Sequence, residues 1–188
     1  MIDLNYDPHD PTGPRRSRFW RLRNDARITA QPWRWPLARL GNRDPLVLAE
    51  GVNGDRLGVD LGYEPMPFDR ELYVPVYAAQ DGAVAIATET KSDFFVCIEH
   101  GYRTYGTTYA QMSKMFVTPY YGQTHRKRQR VRGGDVIGYA TKSPITVRFE
   151  LWKWNDEDGY AAIDPIAQLA EWVAPLARPA SIPDKQAA

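Results

Sequence analysis

The chain predicts an all-β domain, and three observations carry that expectation. Its middle is built of short runs rich in valine, isoleucine, threonine and aromatic residues, the types that fit a pleated, half-buried surface. Glycine-containing turns separate these runs. No heptad, no repeat and no helix-period pattern longer than one short segment interrupts them.

Taken in order, residues 1–31 form a first zone with Asp7-Pro8, Asp10-Pro11 and Gly13-Pro14, followed by the basic aromatic stretch Arg15–Arg23. Proline removes a backbone donor and disfavours helix in the residue before it, so this arm is expected to be extended. It reads either as a loosely held terminus or as a partner arm whose Phe19 and Trp20 anchor on another protein while its arginines meet an acidic rim. Residues 32–163 form the strand-rich zone. Tyr73–Ala79 leads through Gln80-Asp81-Gly82 into Ala83–Ala87, and Asp-Gly between two β-prone runs predicts a hairpin. Phe94–Glu99, Thr104–Met112, Asp135–Tyr139 and Ile145–Trp152 supply further strands. Residues 164–188 form the last zone. A short helix over Ile166–Val173 is expected there, with Asp164 as N-cap and Pro165 at its first position, before a proline-rich tail.

With 188 residues the chain suits one domain with arms. A net charge of +1 exerts no global pull toward nucleic acid or membrane, so any such attraction must be local. Cys97 is the only cysteine. It lies in an apolar run that reads as a buried strand and is expected to be a core thiol. Met1–Arg18 lacks an apolar stretch of signal-peptide length, and no segment approaches the roughly 20 apolar residues of a membrane span. The expectation is a protein that is cytoplasmic as synthesised and not inserted in a membrane. His125–Arg132 is the densest charge run. It reads first as a solvated or ion-paired loop, with Asp156-Glu157-Asp158 among the available acids. A contact with nucleic acid or an anionic glycan is the second reading.

Several stretches, in order, resemble the lysostaphin-type (LytM, M23-like) peptidoglycan endopeptidases. They are Pro32–Leu37, Leu57–Gly62, Val74–Val84, Val96–Gly101, Thr108–Ser113, Gly134–Gly138, Ile145–Trp152 and Ile163–Pro165. The resemblance implies a twisted antiparallel sheet with a groove, flanked by the N-terminal arm and the short helix. It also implies that Arg56, Gln111, Thr146 and Arg148 stand where such enzymes place histidines, while Asp60 keeps the aspartate ligand. A guanidinium stays protonated and has no lone pair to give a metal. Neither Gln111 nor Thr146 can act as a general base near neutral pH. No metal and no cofactor are expected, and no catalytic residue.

Residues two apart on a strand share a face, so Thr146, Arg148 and Glu150 are expected to point one way and Val147, Phe149 and Leu151 into the core. The resemblance implies Arg56, Asp60, Tyr109, Gln111, Thr146 and Arg148 as the groove residues. Arg56 and Arg148 are expected to clamp Asp60, because arginine forks fit carboxylates and an unpaired buried carboxylate is costly. The alternative is two solvated arginines at a groove rim. His9 and His125 read as solvated, and His100 as structural. The middle tyrosines read as half-buried packing residues.

The function expected is that of a catalytically inactive relative acting as a structural or interaction component of a larger assembly, such as a phage-tail-like or injection particle. Its partners would be other protein subunits. The alternatives are a non-cleaving peptidoglycan-binding module and an unorthodox cell-wall metallopeptidase.

Overall fold

The computed structural model describes residues 33–50, 58–65, 73–101, 104–121, 128–140, 146–157 and 159–172. Phe19, Trp20, Arg56, His9 and His125 lie outside them.

Twelve strands and one short helix are defined within these residues. The larger sheet contains β1 (Leu46–Glu50), β2 (Val59–Gly62), β11 (Thr146–Asn155), β6 (Tyr105–Met112), β5 (Phe94–Glu99), β4 (Gly82–Glu89) and β8 (Tyr120–Tyr121), in that spatial order. β12 (Gly159–Ile163) pairs with the far half of β11, and β9 (Arg130–Val131) with the start of β4. The smaller sheet has the order β3 (Val74–Tyr77), β10 (Val136–Ala140), β7 (Lys114–Met115). All pairings in both sheets are antiparallel.

The core joins the two sheets. Val59, Leu61, Val96, Ile98, Tyr109, Val147, Phe149 and Leu151 from the larger one meet Val74, Val76, Ile137 and Ala140 from the smaller one. Burial of this apolar surface is the main force holding the sheets face to face. The helix α1 (Pro165–Leu169) closes the end of this core. It has the expected Asp164 cap, whose carboxylate accepts from the Ile166 amide at 2.9 Å, and Pro165 in its first turn. Its Leu169 is buried in the core, and the Leu169 carbonyl accepts from Trp35 Nε1 at 2.9 Å. Trp172 stacks on Trp33 at 4.9 Å. Residues 164–172 and the tryptophan-rich entry therefore pack on each other at the edge of the domain.

One expectation fails. Gln80-Asp81-Gly82 does not close a hairpin, because β3 and β4 belong to different sheets. The segment carries the chain from one sheet to the other. Asp81 Oδ1 accepts from the Gly133 amide at 2.7 Å, fastening the crossing to the entry of β10. Gly82 is needed for close approach: a Cβ there would sit 2.5 Å from the Glu99 carbonyl oxygen and 2.6 Å from Ile98 Cγ2. The Asp-Gly pair that commonly makes a tight turn here serves a sheet-to-sheet passage.

Candidate functional site

β11 is the element that places the site. Its burial alternates from Thr146 to Leu151, with Val147, Phe149 and Leu151 buried and Thr146, Arg148 and Glu150 half-buried on the opposite face. In register, Arg148 stands between Asp60 of β2 and Ala110 of β6. The groove row therefore crosses three adjacent strands.

Arg148 Nη1 lies 3.3 Å from Asp60 Oδ1, with the side chains 12% and 28% exposed. The contact is single-ended, and Arg148 Nη2 is buried without a hydrogen-bond partner. Gly58 makes the arrangement possible, since a Cβ there would meet Glu150 Cγ at 2.5 Å, the Phe149 carbonyl oxygen at 2.7 Å and Arg148 Nε at 2.9 Å. Arg148 and Glu150 thus pack over a position that only glycine can fill. Burial pushes the Glu150 carboxyl above its usual range, with Arg148 opposing that shift.

Gln111 and Thr146 come together one step along the groove, where Thr146 Oγ1 lies 3.5 Å from Gln111 Oε1. Gln111 has φ 63°, a left-handed backbone uncommon outside glycine. This conformer interrupts the alternation of β6. Tyr109 and Gln111 are two apart and would share a face, yet Gln111 is exposed while Met112 turns into the core. Tyr109 therefore must be removed from the groove residues. It is fully buried, packs against Phe149 with ring centroids 5.5 Å apart, and faces the opposite side of the sheet.

There Tyr109 belongs to a buried polar chain that the sequence did not reveal. The Ala79 amide donates to Tyr109 Oη at 2.8 Å. Tyr109 Oη and Thr107 Oγ1 are 3.0 Å apart, Thr107 Oγ1 and His100 Nε2 are 2.6 Å apart, and His100 Nδ1 is 3.0 Å from the Asp81 carbonyl oxygen. A carbonyl can only accept, so Nδ1 carries the proton and Nε2 accepts from Thr107. The Tyr109 hydroxyl then donates to Thr107, and each hydrogen is used once. Burial lowers the His100 pKa to about 4, with the Asp81 backbone bond opposing. His100 is thus a neutral, structural histidine.

The basic run is likewise partly drawn inward. Arg128 pairs with Glu99 at 2.7 Å, the side chains being 3% and 0% exposed, whereas Arg130 and Arg132 are exposed. Burial pushes Glu99 up to about 8, while Arg128 pulls it back. A lone carboxylate inside the apolar run Phe94–Glu99 was the available signal for this pair, because buried charge needs a partner. Cys97 is a free, buried thiol whose pKa burial raises to about 12.

Among the described residues, the donor set of the row does not fit zinc. Catalytic zinc needs about three nitrogen, sulfur or carboxylate ligands around an open position. The row instead offers Asp60, already engaged by a cation, an amide, a hydroxyl and a guanidinium. No group of three or more histidine, cysteine or acidic side chains able to hold a metal occurs among the described residues. Nor is any helix among them long and apolar enough to cross a membrane.

Fold and groove together define a two-sheet β domain of the lysostaphin type. Residues 65–165, more than half of the chain, match the sequence model of peptidase family M23, and the chain belongs to that family. No curated protein matches it. Among solved structures, a chain of the SpoIIQ–SpoIIIAH pore-forming complex is similar at a TM-score of 0.52 and 20% identity, over 84% of this chain and 99% of that one. The catalytic domain of the antimicrobial peptidase lysostaphin from Staphylococcus simulans is similar at 0.45 and 18%, over 69% and 94%. A zinc-containing peptidase from Vibrio cholerae is similar at 0.48 and 16%, and the match spans 70% of this chain but 39% of that one. At these identities the likeness is one of fold.

Proposed function

We propose that this chain is a non-cleaving member of the M23 family that works as a structural or interaction component of a larger assembly. One observation carries the reading: the Arg148 guanidinium lies 3.3 Å from the Asp60 carboxylate. The metal-binding aspartate that the resemblance implies is thereby engaged by a fixed cation that cannot itself ligate a metal. Gln111 and Thr146, which stand where the resemblance implies histidines, cannot act as general bases near neutral pH. The similar fold within a complex described as pore-forming supports an assembly role. A tail-like or injection particle is one such assembly.

Metal analysis of protein purified without chelator, together with incubation on purified sacculi, tests the reading. The expected outcome is no stoichiometric zinc and no released peptide. Tightly held zinc, or cleavage by the pure protein, overturns it. A second reading, a groove that binds wall peptide without cutting it, is favoured by the exposed Gln111 held in a left-handed backbone. Sacculus binding that a Gln111 substitution abolishes would support that alternative.

A further inference from the structure

We propose that Arg148, Thr146 and Gln111 form a subsite for a carboxylate group, such as a peptide C-terminus. The inference rests on the non-cleaving reading of the same groove and names the chemistry that it would recognise. Two independent observations converge on it.

The first is the unfinished coordination of Arg148. Its fork could hold a carboxylate by two parallel bonds, yet only Nη1 reaches Asp60, at 3.3 Å, and Nη2 is buried with no partner. Buried donors are rarely left so, and each exception needs an explanation, of which an acceptor from outside the chain is one. Arg148 Nε and Glu150 Cγ occupy the space that a Cβ at Gly58 would need, so the guanidinium lies close against the β2 entry.

The second is Gln111. A non-glycine residue in the left-handed region stores strain, and such residues cluster at ligand sites. Here the left-handed residue presents an exposed carboxamide whose oxygen accepts from Thr146 Oγ1 at 3.5 Å, the outer limit of a hydrogen bond. An arriving acceptor would compete with little. Arg148 Nη2 and the Gln111 carboxamide nitrogen remain as donors for an anion, while the Thr146 hydroxyl is held only by the long contact to the Gln111 oxygen. Glu150, whose carboxyl burial holds toward its neutral form, opposes that anion less than an exposed acid would.

The test is an NMR titration of the full chain with N-acetyl-glycyl-glycine and, separately, its C-terminal amide, in protein verified to be free of zinc. The free acid is expected to shift the Arg148 Nε–H and Gln111 side-chain signals saturably, and the amide to leave them unmoved. Arg148→Lys keeps the charge but loses the fork, and should weaken binding about tenfold. Gln111→Gly relieves the backbone strain at an exposed position, so it should fold normally and still bind more weakly. Equal shifts with acid and amide, no shifts with either, or unchanged affinity in Gln111→Gly would overturn the subsite while leaving the non-cleaving reading in place. Stoichiometric zinc in the purified protein would instead overturn that reading and the subsite with it.

Discussion

Two polar constellations lie on opposite faces of the same sheet, and they are finished to different degrees. The inner one, from Ala79 through Tyr109, Thr107 and His100 to Asp81, is buried and closed, with contacts of 2.6–3.0 Å. The groove row of Asp60, Arg148, Thr146 and Gln111 is partly exposed, with contacts of 3.3 and 3.5 Å and one donor left over. A saturated network has nothing to offer a ligand, but it fixes the crossing between the sheets. An unsaturated one adds less to the fold and retains binding capacity. Residue type alone would have ranked them the other way, since the only described histidine sits in the inner network.

The comparison is broken most severely by acid. His100 has a folded pKa of about 4 against an ordinary value of 6.5, so the unfolded chain takes up its proton first as pH falls. The stability contributed by neutral His100 should be complete above pH 6.5 and be lost as the pH drops from 6.5 through 4. The limiting loss is about 3 kcal/mol. Glu99, raised by burial to about 8, titrates with the opposite sign. The check is therefore the difference in denaturant midpoint between the protein and His100→Gln across that window, and a difference that stays constant with pH would deny His100 this role.

Tyr109→Phe comes next. It keeps the ring on Phe149 but strands the buried Ala79 amide and Thr107, which should cost about 2 kcal/mol in chemical denaturation. A Tyr109 in the groove would have tolerated the change within about 0.5 kcal/mol, as surface positions do.

Gly58→Ala probes the groove row. The new methyl would overlap the Phe149 carbonyl, Glu150 and Arg148, and should cost about 1.5 kcal/mol as overpacking does. It should also part Arg148 from Asp60, seen as a changed environment at Arg148 Nε–H. Loss of stability without that change would mean that Gly58 serves only the backbone.

Much of this was legible in the chain. The alternation along Thr146–Leu151, the Asp164 cap and the buried strand around Cys97 rest on local rules of period and capping. The order of motifs carried the family. Tyr109 pairs in register with the buried Phe149 and so faces the core, while Gln111 reaches the groove side only because its backbone leaves the strand at φ 63°, a break that no local pattern marks. Strands of two residues, such as Lys114–Met115 and Tyr120–Tyr121, are too short to leave any periodic trace.

What the amino-acid sequence determined by itself was the kind of surface each strand presents, which follows from residue identity and a spacing of two, and, through the order of its motifs, the family. The tertiary structure alone decided that Asp81-Gly82 passes between sheets, that Arg128 turns inward to Glu99 and that Arg148 leaves one end of its fork unused. Each depends on a partner distant in sequence, such as Asp60, 88 positions from Arg148. No local pattern encodes which distant group a charge or an amide will find once the sheets have closed.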